Sequence, residues 1–188
     1  LAQPHITFDL RAHHSSELRQ ALLSRDLDMI ISFSNEQTPG VQLTRIGQTE
    51  LVHLGPEGPE GVKHISDLHN KHYIALDPRD PSGSALQSVL DEYEVEVKAI
   101  AQIQTHYMAC SLAAVGFGET IVDLITARAM LRKGIMVSKL EPRISIPVNL
   151  MTHANDPLST IQHTLIERLQ KVCQQYELPE GVTNLLAD

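Results

Sequence analysis

The chain has 188 residues, of which 42% are hydrophobic and 20% charged, with a formal net charge of −8. That composition belongs to a globular chain with a sizeable core rather than a disordered one, and its length allows one domain or two small lobes. The acidic balance repels phosphates, so nucleic acid binding by these residues themselves is not expected, and no apolar run approaches the roughly 20 residues of a membrane span. Two cysteines, Cys110 and Cys173, make no disulfide framework, and with no export signal visible the expected compartment is the cytoplasm.

Strand-like and helix-like segments alternate along the chain, the pattern of an α/β architecture. Ile6, Phe8 and Leu10 alternate with Thr7, Asp9 and Arg11, which predicts a strand over His5–Ala12. Ser15–Ser16–Glu17 predicts a helix start with serine as N-cap and an acid in the first turn. Leu27–Phe33 reads as a buried strand, Asn35–Gly40 as loop, and Val41–Ile46 and Glu50–Leu54 as two further strands. Gly55–Gly61, rich in Gly and Pro, reads as a turn or linker.

A strand at His72–Leu76 precedes a loop over Asp77–Ser82 and an amphipathic helix from about Gly83, with Ala85, Leu86, Val89, Leu90 and Tyr93 on one face. Val97–Ile103 is the next expected strand, followed by a helix over Thr105–Val115 that Gly116 terminates. Thr120–Asp123 is a strand, Thr126–Lys133 a helix stopped by Gly134, and Ile135–Leu140 and Ile146–Met151 the last strands. Leu158, Ile161, Leu165, Leu169, Val172 and Tyr176 repeat at helical spacing and close the pattern; the tail Pro179–Asp188 is left unassigned.

Several segments, in order, resemble the effector-binding domain of LysR-type transcriptional regulators. They are Ser15–Ser16–Glu17–Leu18 with Ala21–Leu22 and Asp26–Leu27–Asp28–Met29–Ile30–Ile31, then Glu50–Leu51–Val52, where Leu51 departs from the family's Glu-Pro-Leu-Val pattern. Ile65–Ser66–Asp67–Leu68, Ala113–Ala114–Val115–Gly116–Phe117–Gly118 and Pro157–Leu158–Ser159 follow. No single motif is specific; their order across most of the chain carries the resemblance. Ile121–Val122–Asp123 with Thr126–Ala127 is similar to the subgroup regulating opine catabolism and lysine biosynthesis.

The resemblance implies two Rossmann-like lobes joined by a hinge, as in type-2 periplasmic binding proteins, with a small molecule held between them. Lobe I would comprise residues 1–47 and 148–188, and lobe II residues 48–147. The family's domain opens with another strand and helix ahead of His5, expected to be absent here. The implied role is that of a regulatory module, not an enzyme, which binds a co-inducer, forms homodimers or homotetramers, and meets DNA only through an N-terminal winged helix-turn-helix outside this chain. A freestanding solute-binding protein of the same fold is the alternative.

Ligand contacts in such a cleft come from strand ends and helix N-termini, whose free N–H groups and dipole attract carboxylates. His14 and Ser15 stand at one such junction, where a plain N-cap is the competing reading; Ser32 and Phe33 end the next strand. Ser82 and Gly83 open a helix facing them, and Thr105, His106 and Tyr107 open another. Asp123, at a strand end, could pair with an amino or guanidinium group while helix N-termini hold a carboxylate, or be an ordinary turn aspartate. An amino-acid-like or opine-like carboxylate is therefore the expected effector. No cofactor, metal or catalytic residue is expected: the ten histidines lack ligand spacing, and no spacing sets His14, Ser82 and Asp123 as a nucleophile held by a base.

Overall fold

A computed structural model describes residues 6–56, 63–130 and 135–175. Its organising element is one long strand, β2 (Val41–Pro56), which passes from one sheet into another. The strand β1 (Ile30–Ser32) precedes it, and the first helix, α1, spans Ser15–Leu23. Along residues 41–50, β2 runs antiparallel to the last strand, Ser145–His153, which on its other side pairs with β1. From Leu51 onward β2 pairs instead with the strands Glu119–Asp123 and Ile135–Glu141.

The remaining elements, in chain order, are β3 (Lys63–His64), a 3₁₀ turn over Ile65–Leu68, β4 (His72–Leu76), α2 (Pro81–Glu92), β5 (Lys98–Ile103), α3 (His106–Ala114), β6 (Glu119–Asp123), α4 (Leu124–Ala129), β7 (Ile135–Glu141), β8 (Ser145–His153) and α5 (Thr160–Gln175). β4 lies parallel to both β5 and β6, as strands linked by helical crossovers do. The result is an α/β architecture of two lobes, each built on one of the sheets that β2 joins, as the resemblance implied.

Side-chain alternation explains the layering. On one face of the larger sheet Val52, Leu54, Ile74, Leu76 and Val122 pack against Ala109, Cys110 and Ala127 of α3 and α4. On the other face Leu51, Tyr73, Ala75 and Ile121 pack against Leu86 and Leu90 of α2 and Ile65 and Leu68 of the 3₁₀ turn. Adjacent residues thus serve opposite cores, which the two-residue strand period requires. The smaller sheet is covered by α5, with Ile166, Leu169 and Cys173 against Ile46, Val148 and Leu150, and by α1, with Leu22 against Ile30 and Met151. Each fully buried Leu or Ile contributes roughly 1.5–3 kcal/mol of transfer free energy.

Several sequence expectations are corrected. Residues 6–14 form no strand, and Phe8 and Leu10 are 61% and 88% exposed, because no described strand runs beside them to complete a ladder; His5 lies outside the described residues. The strand expected over Leu27–Phe33 is only Ile30–Ser32. The two strands expected at Val41–Ile46 and Glu50–Leu54 are one, with a register irregularity between Arg45 and Gly47. Gly47 lets it pass beneath α5, since a Cβ there would stand 2.5 Å from the Cys173 Cβ. Gly55 and Pro56, read as turn, end β2.

Helix starts move too. His14, not a serine, is the N-cap of α1. α2 begins at Pro81, whose fixed φ and missing N–H suit a first helical position, rather than at Gly83. α4 begins at Leu124 behind the N-cap Asp123, and α5 begins at Thr160 rather than Leu158. The expected stop at Gly134 and the residues from Tyr176 onward lie outside the described residues. Among the described residues no helix is long and apolar enough to cross a membrane.

Candidate functional site

Four helices direct their N-termini at one cavity of about 370 Å³. Ser15 comes from the first turn of α1, Ser82 from that of α2, Thr105 is the N-cap of α3, and Asp123 the N-cap of α4. Ser32 and Phe33, at the end of β1, supply the facing wall. Free backbone N–H groups and the positive ends of helix dipoles make such a convergence suited to an anion. Eight of the ten expected residues line it: Ser15, Ser32, Phe33, Ser82, Thr105, His106, Tyr107 and Asp123.

The other two stand behind the wall. Gly83 is buried with the Asp77 carbonyl so close that a Cβ would sit 2.2 Å from its oxygen, so glycine here serves backbone packing rather than ligand approach. His14 points along the rim, where its Nδ1 lies 3.1 Å from Asp80 Oδ1. Nine lining residues escaped the sequence reading, among them the polar Arg11, Asp80, Gln104 and Thr126. Asp80 was the findable one, since Asp followed by Pro81 is a helix-start signature. Arg11 is bound to Asp9 at 2.7 Å, and both side chains are largely exposed.

A buried polar chain forms the floor. Ser82 Oγ lies 2.8 Å from His106 Nε2, and His106 Nδ1 lies 2.9 Å from Asp123 Oδ2. The distances are those of a Ser-His-Asp triad, but the hydrogens run the other way. The backbone N–H of Asp123 donates to His106 Nδ1 at 2.8 Å, so in the neutral ring Nε2 carries the hydrogen and donates to Ser82 Oγ. A ring in that tautomer cannot take the serine proton, as a general base must. Ser82, accepting from the ring, keeps its own O–H to offer to the cavity.

Asp123 is divided. Its Oδ1 accepts the backbone N–H of Thr126 at 2.9 Å, capping α4, whereas Oδ2 is buried without a hydrogen-bond partner. Burial works to raise this carboxyl, while the hydrogen bond and charge that a protonated His106 would supply, together with the Thr126 hydrogen bonds, lower it on balance. With the ring neutral, Oδ2 receives no hydrogen bond from the protein. Phe33 packs edge-on against His106, with ring centroids 5.5 Å apart, and shields this corner.

The remaining expected contacts are local. Thr105 Oγ1 accepts from the Met108 N–H at 3.2 Å, the cap of α3, and Ser32 Oγ accepts from the Ser34 N–H at 3.1 Å. Tyr107 is 62% exposed at the mouth. Beneath the rim Arg79 grips Asp77 with its Nη2 2.6 Å from Oδ2, and holds that carboxyl down at about 2. Among the described residues no group of three or more His, Cys, Asp or Glu could hold a metal ion.

Comparison with known proteins bears on family and fold. Residues 1–174 match the family described as the LysR substrate binding domain. The chain is 28% identical over 173 residues to the HTH-type transcriptional regulator DgcR of Pseudoalteromonas sp., covering 89% of this chain but only 59% of that relative. Among solved structures, the regulatory domain of CcmR from Synechocystis PCC6803 in complex with 2-PG superposes with a TM-score of 0.75 at 15% identity, over 92% of this chain and 86% of that one. The effector binding domain of QuiR in complex with shikimate gives 0.71 at 16% identity, over 88% and 81%.

Proposed function

Because residues 1–174 place it in the LysR substrate binding domain family, the chain belongs to that family, and we propose that the 370 Å³ cavity is its effector site. The domain is a ligand-binding regulatory module, not an enzyme. The effector of this reading is a small zwitterion, amino-acid-like or opine-like: its carboxylate faces the N-termini of α1, α2 and α3, and its ammonium or guanidinium meets Asp123 Oδ2. The observation that carries it is that buried carboxylate oxygen without a hydrogen bond from the protein, set among helix N-termini that favour an anion. The opine- and lysine-regulator-like subgroup fits the same residue. The volume lies within the range of small-molecule pockets.

Residues 1–47 with 148–188 form one lobe of this reading and 48–147 the other, with the hinge at the irregularity between Arg45 and Gly47. Effector binding shifts the lobes toward a closed arrangement through its higher affinity for that state. Dimers or tetramers then carry the change to a winged helix-turn-helix outside these residues. The net charge of −8 supports DNA contact elsewhere, and this chain spans only 59% of DgcR.

A thermal-shift screen of the 188-residue chain tests the effector class. Stabilisation by basic amino acids or opines is the expected result. Stabilisation by aromatic or dicarboxylic acids with none by basic zwitterions would overturn it.

A further inference from the structure

His14 and Asp80 are the N-cap residues of α1 and α2, and neither side chain accepts a backbone N–H of its own helix. They bind each other instead, His14 Nδ1 to Asp80 Oδ1 at 3.1 Å. His14 Nε2 lies 3.0 Å from the Gln104 amide nitrogen and 3.6 Å from Asp77 Oδ2. The neutral ring satisfies both shorter contacts at once: Nδ1–H donates to Asp80 while Nε2 accepts from the Gln104 amide. At 17% and 18% exposure the two side chains are sheltered enough for this bond to count.

The partners belong to opposite walls of the cavity. His14 leads into α1, which packs with Leu22 on Ile30 and Met151 of the smaller sheet. Asp80 and Gln104 follow β4 and β5 of the larger sheet, and both line the cavity. Phe33 against His106 is a second contact across the same gap. A helix cap forgone on both sides in favour of one shared bond is the mark of a contact between walls rather than of helix stabilisation.

We infer that His14 is a positioning residue, a clasp that fixes the aperture of the cavity by joining the α1 wall to Asp80 and Gln104 on the other. Breaking those bonds admits the effector or releases it. The clasp rests on the proposed function only for what passes through the opening, and its test needs no ligand.

The reporter is the Asp123 amide, which is bonded to His106, the ring that Phe33 packs against from the opposite wall. Amide hydrogen exchange is followed in the ligand-free chain for wild type, H14A, D80A, the double variant and D80N, which keeps the acceptor oxygen. Neither alanine removes a cap bond, because none exists. Each alanine variant is expected to exchange Asp123 roughly tenfold faster than wild type, the double variant no faster than either single, and D80N within about twofold of wild type, while the Val52 amide in the sheet is unchanged. Asp123 exchange within about twofold of wild type in both alanine variants overturns the clasp. So does equal acceleration at Val52, or D80N exchanging as fast as D80A.

Discussion

His106 Nδ1 accepts the backbone N–H of Asp123 at 2.8 Å while the Oδ2 of the same aspartate, 2.9 Å from that nitrogen, has no hydrogen-bond donor. One ring nitrogen cannot accept from the backbone and donate to the carboxylate together. The neutral ring therefore turns its hydrogen toward Ser82, and one carboxylate oxygen receives no hydrogen bond from the protein. A single tautomer separates a binding floor from a nucleophilic triad built of the same three residue types.

Ser82 is 2% exposed and accepts from His106 Nε2. Ser82→Ala leaves that buried N–H without its partner and is expected to cost about 1–3 kcal/mol in urea unfolding, whereas Ser88→Ala on the outer face of α2 stays within about 0.5 kcal/mol. The same geometry denies Ser82 a base. Incubation with a serine-directed phosphonate should leave the intact mass unchanged, and an adduct at Ser82 would contradict the assigned tautomer.

Gly83→Ala is expected to be among the most damaging single-methyl changes in the chain. Its Cβ would stand 2.2 Å from the Asp77 oxygen and 2.8 Å from the carbonyl carbon, backbone atoms that cannot swing aside. A loss of about 2 kcal/mol or more in chemical denaturation is predicted from such overpacking. A variant as stable as wild type would show that the α2 start can shift outward.

Asp77 gives a pH dependence of defined sign. Its folded value, about 2, lies below the ordinary carboxylate value because of Arg79 hydrogen bonds and charge. A depressed carboxylate contributes stability above its unfolded value, near pH 4, and loses it as pH falls toward 2. Arg79 is 76% exposed, so the effect is screened and small. In melts across pH, Arg79→Ala should be the less stable protein at pH 6, with the difference shrinking between about pH 4 and pH 2. A difference that grows on acidification contradicts the pairing.

Cys110 is buried at 1% exposure, and burial together with the nearby Asp123 charge pushes its thiol up to about 12. A thiol held protonated and sheltered does not react. A disulfide reagent at pH 8 should leave Cys110 unmodified in the native protein and label it only on unfolding, as read by peptide mass.

Much of this architecture was legible in the residues. His72–Leu76 is legible to the residue because its side chains are continuously buried after the first position and turn residues bound it. The failures share a cause: alternation reports which faces differ, not whether a neighbouring strand exists. Ile6, Phe8 and Leu10 alternate as well as any strand here, yet no described strand pairs with them. Gly47–Gln48–Thr49, left between two expected strands, lies paired with Val148, Pro147 and Ile146 inside β2.

The candidate site divides similarly. Its serines, threonine and aspartate were readable as cap residues at strand ends. The orientation of Asp123 was not, because His106 is 17 residues away and only the fold brings its Nδ1 to the Asp123 N–H. Gly83 was read as a helix start facing the cleft and is a close approach of the chain to itself. His14 was read as a contact and stands on the rim, bound to Asp80.

The central claim is that Asp123 reads the cation of a zwitterionic effector. Titration calorimetry of the wild-type chain and Asp123→Asn with a basic amino acid or opine that stabilises it in the melt tests this most directly. The aspartate-to-asparagine change keeps Oδ1 for the Thr126 N–H and removes the charge at Oδ2. A loss of about 2 kcal/mol or more, roughly 30-fold in Kd, is predicted for the zwitterion, with little change for a carboxylate lacking the cation. Equal affinity of both proteins for the zwitterion would contradict it.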